Sequence, residues 1–146
     1  MKYPIGIQRF EKLCEEDWVY VDKTVHIYNL VQGGTCYFLS RPRRFGKSML
    51  LSTLEAYFQG KKHLFKGLAI EQLETEWAEH AVLHLDLNAE KYTAPEDLTN
   101  ILDTYLREWE EKYESPEREN PSLSQRFRSV IRSAKQKSGR NVVVLV

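Results

Sequence analysis

Cys36-Tyr37-Phe38-Leu39-Ser40-Arg41-Pro42-Arg43-Arg44-Phe45-Gly46-Lys47-Ser48 is the stretch on which the fold turns. Its first four residues are a short apolar run between Gly34 and Pro42, which reads as a buried strand. Its last three open a segment, Lys47 to Gln59, where Met49, Leu50, Leu54, Tyr57 and Phe58 recur at helical spacing. Gly60 stands where a glycine ends a helix. Strand, loop and helix with Gly-Lys-Ser at the turn match the second half of the phosphate loop G-x-x-x-x-G-K-[ST]. Each residue type has a task there. Backbone amides from Arg43, Arg44, Phe45, Gly46, Lys47, Ser48 and Met49 point toward an anion that the helix dipole favours. Gly46 lets the backbone approach phosphate with no Cβ between them. Lys47 supplies a point charge to the β- and γ-phosphates, and the Ser48 hydroxyl is a ligand for magnesium. Arg41 occupies the position of the pattern's first glycine. Pro42, Arg43 and Arg44 offset that by fixing the backbone and adding positive charge. Two competing readings remain. The turn can be a basic helix cap with no ligand, or Arg41, Arg43 and Arg44 can form a nucleic-acid patch. Against the patch, the sequence offers no aromatic platform interleaved with the arginines and no second basic stripe.

Working outward, Phe10 and Leu13 share a helical face in the mixed opening from Met1 to Asp17. Trp18-Val19-Tyr20-Val21 is aromatic and β-branched, and so extended. Asp22 offers an N-cap to a helix through about Leu30, which Gly33-Gly34 stops. His63 to Trp77 reads as short helical turns. From Ala81 to Leu87 the residues alternate, Leu83, Leu85 and Leu87 against Val82, His84 and Asp86, which is a strand. Thr93 and Glu96 propose a capping box with Pro95 in the first turn. Leu98, Ile101, Leu102, Tyr105, Leu106, Trp109 and Tyr113 then trace one face of a long helix. Beyond the polar loop Glu114 to Pro121, Ser122 and Gln125 propose a second box, followed by Phe127, Val130, Ile131 and Ala134 and closed by Gly139. Val142 to Val146 is continuously apolar, as in a strand covered on both faces. Strands alternating with helical crossovers predict an α/β domain with a parallel sheet.

The 146 residues suffice for one domain with a real core. At 42% hydrophobic and 29% charged the composition suits a helix-rich globular chain. Lys plus Arg balance Asp plus Glu at 21 each, so any basic partner site must be local. Cys14 and Cys36 have no zinc or redox spacing, and no apolar run is long enough to span a bilayer. The expected setting is a reduced cytoplasm without membrane contact. His84-x-Asp86 places two metal-capable side chains on one strand face, too few for a site.

Tyr37 to Ser48, together with Tyr20-Val21-Asp22-Lys23-Thr24 and His84-Leu85-Asp86-Leu87, resembles the bacterial predicted AAA-ATPase-like family. The likeness covers nearly the whole chain, and it implies that Arg41 at the first-glycine position is a family habit. It also implies an α/β, three-layer P-loop NTPase of the AAA (ASCE-like) type with a parallel sheet. ATP and magnesium are the implied cofactors. A Walker B element in that family is four apolar residues followed by an acidic pair. Val143 to Val146 match the apolar half, and the first carboxylate is expected directly after Val146. Residues 1–146 are therefore expected to be the N-terminal portion of a single domain, incomplete at the C-terminus, with a lead-in over 1–34 and a partial core over 35–146. Further core strands and a restriction-endonuclease-like nuclease domain often follow in the family.

The leading expectation is an ATP-binding module with no catalytic residue of its own, adenine lying near Ile7, Phe10 or Tyr20. Asp86 and Glu90 are the acids available to substitute for Walker B. The alternatives are a non-catalytic interaction module using the Leu98–Tyr113 stripe, or nucleic-acid binding through the arginines. In AAA-type sheets a later strand separates the strand of the phosphate loop from that of Walker B. The place beside Cys36–Leu39 is expected to be filled by Trp18–Val21, by direct pairing with Val142–Val146, or by self-association with a second copy.

Overall fold

The computed structural model describes residues 3–16, 18–42, 44–88, 93–116, 119 and 121–146. The chain divides into two compact units, Met1–Ala78 and Glu79–Val146.

In the N-terminal unit, α1 (Phe10–Glu15) packs on α3 (Lys47–Phe58), and α2 (Thr24–Gly33) packs on α4 (Ile70–Leu73). A 3-10 turn over Lys62–Phe65 meets both α1 and α4. These short elements cannot hold themselves in water, so aromatic burial does it. Phe10 and Phe65 are both fully buried, with ring centroids 4.9 Å apart. Tyr20 meets Phe10 edge-on at 5.3 Å, and Trp77 closes on Phe65 at 5.1 Å. The Tyr57 hydroxyl donates to the Glu74 carboxylate, and the Trp77 indole donates to the Glu74 carbonyl at 3.0 Å.

Helix α3 ends as its glycine foretold. Gly60 is left-handed at φ 67°, its N–H donating to the Tyr57 carbonyl at 3.0 Å and that of Lys61 to Ala56 at 3.1 Å. That is a Schellman closure. Helix α2 begins one residue later than Asp22 as N-cap requires, with Lys23 in that place. Asp22 nevertheless serves two helix starts. Its Oδ1 accepts the Thr24 N–H at 2.8 Å and the Thr24 hydroxyl at 2.7 Å, while Oδ2 accepts the Ala69 N–H at 2.7 Å. The buried Thr24 hydroxyl oxygen in turn accepts the Ile70 N–H at 3.1 Å. Burial pushes the Asp22 carboxyl up, but these bonds together outweigh it and hold the group below the usual carboxylate range.

The C-terminal unit holds a two-stranded parallel sheet under two long helices. β1 (Val82–His84) and β2 (Val143–Leu145) pair with Leu83 opposite Val144. The ladder extends through Val143 N–H to Ala81 O at 2.9 Å and Leu85 N–H to Leu145 O at 2.8 Å. α5 (Pro95–Tyr113) and α6 (Leu123–Ser138) pack on each other. Leu106, Trp109 and Tyr113 of α5 and Val130 and Ala134 of α6 form one buried cluster with Ala81 and Leu83. Arg126 braces the pair, bidentate to Glu110 at 2.8 and 2.7 Å and also bonded to Asp103. The Ser122–Gln125 box forms as expected, Gln125 N–H to Ser122 Oγ at 3.3 Å and Ser122 N–H to Gln125 Oε1 at 3.0 Å.

A mixed α/β chain with parallel pairing is what the sequence led us to expect, but four details differ. Cys36–Leu39 is not a strand: a strand cannot satisfy its own N–H and C=O groups. Among the described residues the sheet contains only β1 and β2, and Cys36–Leu39 is no part of it. Instead the Tyr37 hydroxyl donates to the Leu30 carbonyl at 2.6 Å, resting 3.0 Å from where a Cβ would stand on Gly34. The expected strand Ala81–Leu87 keeps only Val82–His84. β2 is not covered on both faces, since Val144 and Val146 stay exposed despite their apolarity. At α5 the boxing carboxylate is Asp97, not Glu96. The helix starts at Pro95 behind Ala94, and Asp97 accepts the N–H groups of Thr93 at 2.7 Å and Ala94 at 2.9 Å. Among the described residues no helix is long and apolar enough to cross a membrane.

Candidate functional site

The start of α3 is built by two left-handed residues. Gly46 is the N-cap at φ 78°, and Arg44 lies at φ 66°. Glycine adopts such a conformation freely, whereas for an arginine it costs roughly 1–2 kcal/mol. A non-glycine residue held there marks a loop whose path is set by something other than local preference. The Leu50 N–H donates to the Gly46 carbonyl at 2.9 Å, closing the first turn. Helix geometry then leaves the amides of Lys47, Ser48 and Met49 with no acceptor inside the helix, and the N-cap, a glycine, has no side chain to cap them. Nothing among the described residues lies within 4 Å of a Cβ built on Gly46, so the space beside its Cα is open.

The structure places Arg41, Pro42, Arg44, Phe45, Gly46, Lys47 and Ser48 at the surface, and Met49 half-buried at the first turn. Arg43 lies outside the described residues. α3 is anchored one turn further on, where Ser52 Oγ accepts the Phe10 N–H at 2.7 Å and the Thr53 hydroxyl donates to the Met49 carbonyl at 2.8 Å. Rigid helix and open loop meet at Lys47.

Phe10, expected near adenine, is sealed in the core and cannot face a ligand; Ile7 and Tyr20 are half-buried. Asp86 is exposed, its Oδ1 accepting the Asn88 N–H at 2.9 Å in a local turn. Glu90 lies outside the described residues. Among the described residues no three His, Cys, Asp or Glu side chains are grouped to hold a metal. In the C-terminal unit a cleft of about 570 Å³ is lined by Glu110, Glu111, Glu114 and Arg126, among others. Among its described lining residues Arg126 is the half-buried cation, and it is already paired with Asp103 and Glu110.

Two features were not foreseen. Asp22 and Thr24 form a clasp between helix starts; the D-x-T spacing, a side-chain turn pattern, was the available signal. Phe38 and Phe45 are 93% and 63% exposed, so aromatic side chains do interleave with Arg41 and Arg44.

A family model described as Predicted AAA-ATPase matches residues 4–146. A curated protein of Azotobacter chroococcum mcd 1, described as an uncharacterized protein in the vnfD 5' region, is 41% identical over 149 residues. The match covers 99% of this chain, which spans only 28% of that relative's length. No solved structure matches the chain.

Proposed function

The chain belongs to the predicted AAA-ATPase family, and on that premise we propose that it binds ATP with magnesium through the loop Arg41–Ser48. One observation carries this reading: the first amides of α3 have no acceptor inside the helix at a Gly-Lys-Ser turn framed by left-handed Arg44 and Gly46, with open space beside the Gly46 Cα. The donor set suits the group. Amides and the helix dipole favour an anion, Lys47 supplies charge to the β- and γ-phosphates, and the Ser48 hydroxyl suits a hard cation. Bound magnesium would neutralise charge on the phosphate oxygens. Arg43 and Arg44 add to the positive field.

We further propose that Cys36–Leu39 is a strand of a three-layer P-loop sheet whenever a neighbouring strand pairs with it, whether from this protein or from a second copy. The setting is a reducing cytoplasm.

The test is thermal or chemical denaturation with ATP and magnesium. At a hundredfold excess over the dissociation constant the gain is expected to be about 2.7 kcal/mol. Lys47→Ala is expected to remove most of it and to leave unliganded stability unchanged. Equal responses from both proteins would rule the loop out as the site. A second reading, single-stranded nucleic acid on the same loop, is favoured by the exposed Phe38 and Phe45 beside Arg41 and Arg44. Salt-dependent oligonucleotide binding that ATP fails to displace would support it.

A further inference from the structure

From Lys23 to Leu54 the sequence contains no Asp or Glu, in a chain that elsewhere carries 21 of them. The same stretch holds Lys23, Arg41, Arg43, Arg44 and Lys47. The chain is neutral as a whole, yet this stretch around the phosphate loop carries five basic residues with no acid in sequence to offset them. Arg41, Arg44 and Lys47 are all exposed there. Arg44 is fixed on a left-handed backbone at φ 66°, two residues before Gly46 at φ 78°. An ordinary phosphate loop uses glycine amides and a single lysine, a donor set that holds the β-phosphate of a diphosphate nearly as well as that of a triphosphate. Extra guanidinium groups respond differently: their attraction grows with ligand charge, and a planar fork can take two phosphate oxygens at once.

We infer that Arg44, assisted by Arg41, makes this loop a reader of phosphate number, selecting a nucleoside triphosphate over the diphosphate by charge and reading the polyphosphate chain more than the base. The inference rests on the nucleotide reading above. Arg44 is the specificity-determining residue because it is the one non-glycine position in the described loop held left-handed, with its side chain exposed just ahead of the start of α3.

Isothermal titration calorimetry of the chain with ATP, ADP and inorganic triphosphate, each with magnesium, tests this, using Arg44→Gly and Arg44→Lys. Glycine takes φ 66° without strain, so Arg44→Gly removes the charge and keeps the path of the loop. Arg44→Gly is expected to weaken ATP about tenfold and ADP about threefold. Arg44→Lys is expected to restore most of the ATP affinity, and inorganic triphosphate to follow ATP through the series. Equal weakening of ATP and ADP by Arg44→Gly, or no weakening, overturns the inference while leaving the phosphate loop intact. An oligonucleotide whose affinity falls more than that of ATP also overturns it, by assigning the arginine to a nucleic-acid backbone. If the unaltered chain binds neither nucleotide, the underlying site reading fails, and the inference with it.

Discussion

The two flanks of the phosphate loop are opposites. On its helix side, α3 buries Leu54, Ala56 and Tyr57, closes with Gly60 and receives the Phe10 amide on Ser52. On its strand side, Phe38 is 93% exposed and the main tie is the Tyr37 hydroxyl reaching back to Leu30. Both flanks are apolar in sequence, so hydrophobicity does not separate them. Backbone bonding does. A helix satisfies its own amides and needs only a surface to bury one face, whereas a strand needs a neighbour for every alternate group. The helix flank folds with the aromatic cluster of its own unit, and the strand flank belongs to no sheet among the described residues.

The sharpest way to break this contrast is to remove the cluster behind α3. Phe65 is fully buried against Phe10, Tyr57 and Trp77. Phe65→Ala is expected to cost about 3–5 kcal/mol in urea denaturation, by lost transfer energy plus the cavity left behind. A loss under about 1 kcal/mol would mean that the helix flank does not depend on this core.

A smaller effect is expected at Asp22, which ties the starts of α2 and α4 together. Asp22→Asn keeps the shape but weakens charge-assisted bonds to Thr24 and Ala69, and a loss of about 1 kcal/mol at neutral pH is expected. The folded carboxyl titrates below its ordinary value of 3.8. Its contribution is therefore fully present above that value and is lost as pH falls through the folded one. The gap between the native chain and Asp22→Asn should accordingly be constant from neutrality down to about pH 5 and shrink in stronger acid. A gap that widens on acidification would show that the carboxylate does not act as the acceptor in the folded state.

What the sequence made legible divides along the same line. The helices were readable because their signals are local: Gly60 and Gly139 at C-termini, Ser122 with Gln125, and the α5 stripe through Trp109. The loop residues stand out in the sequence because Gly-Lys-Ser between an apolar run and a helix matches a phosphate-loop pattern. The errors came where a distant group decides. Asp97 displaced Glu96 because the chain enters α5 at Ala94, a matter of which carboxylate reaches Thr93. Phe10 left the adenine list because Phe65, far along the chain, covers it. Cys36–Leu39 and Val144 were read as buried because their composition asks for cover, and composition does not state whether a neighbour supplies it.

The smallest expected effect is also the one that decides most about the strand flank. Phe38→Thr puts a β-branched residue in place of an aromatic one, and so keeps the local preference for extended backbone, while removing a large apolar ring. With Phe38 as exposed as it is, the ring has little to lose, and the change in stability should stay within about 0.5 kcal/mol. Such a result leaves Tyr37–Leu39 open at the surface and the sheet at two strands. A loss of several kcal/mol would instead show that the ring is covered in solution, which requires a neighbouring strand. Repeating the measurement over a range of protein concentration then separates the sources of that strand. A cost that grows with concentration assigns the cover to a second copy, because only an intermolecular contact is subject to mass action. A cost independent of concentration places the partner strand in the same chain, next to the phosphate loop it would complete.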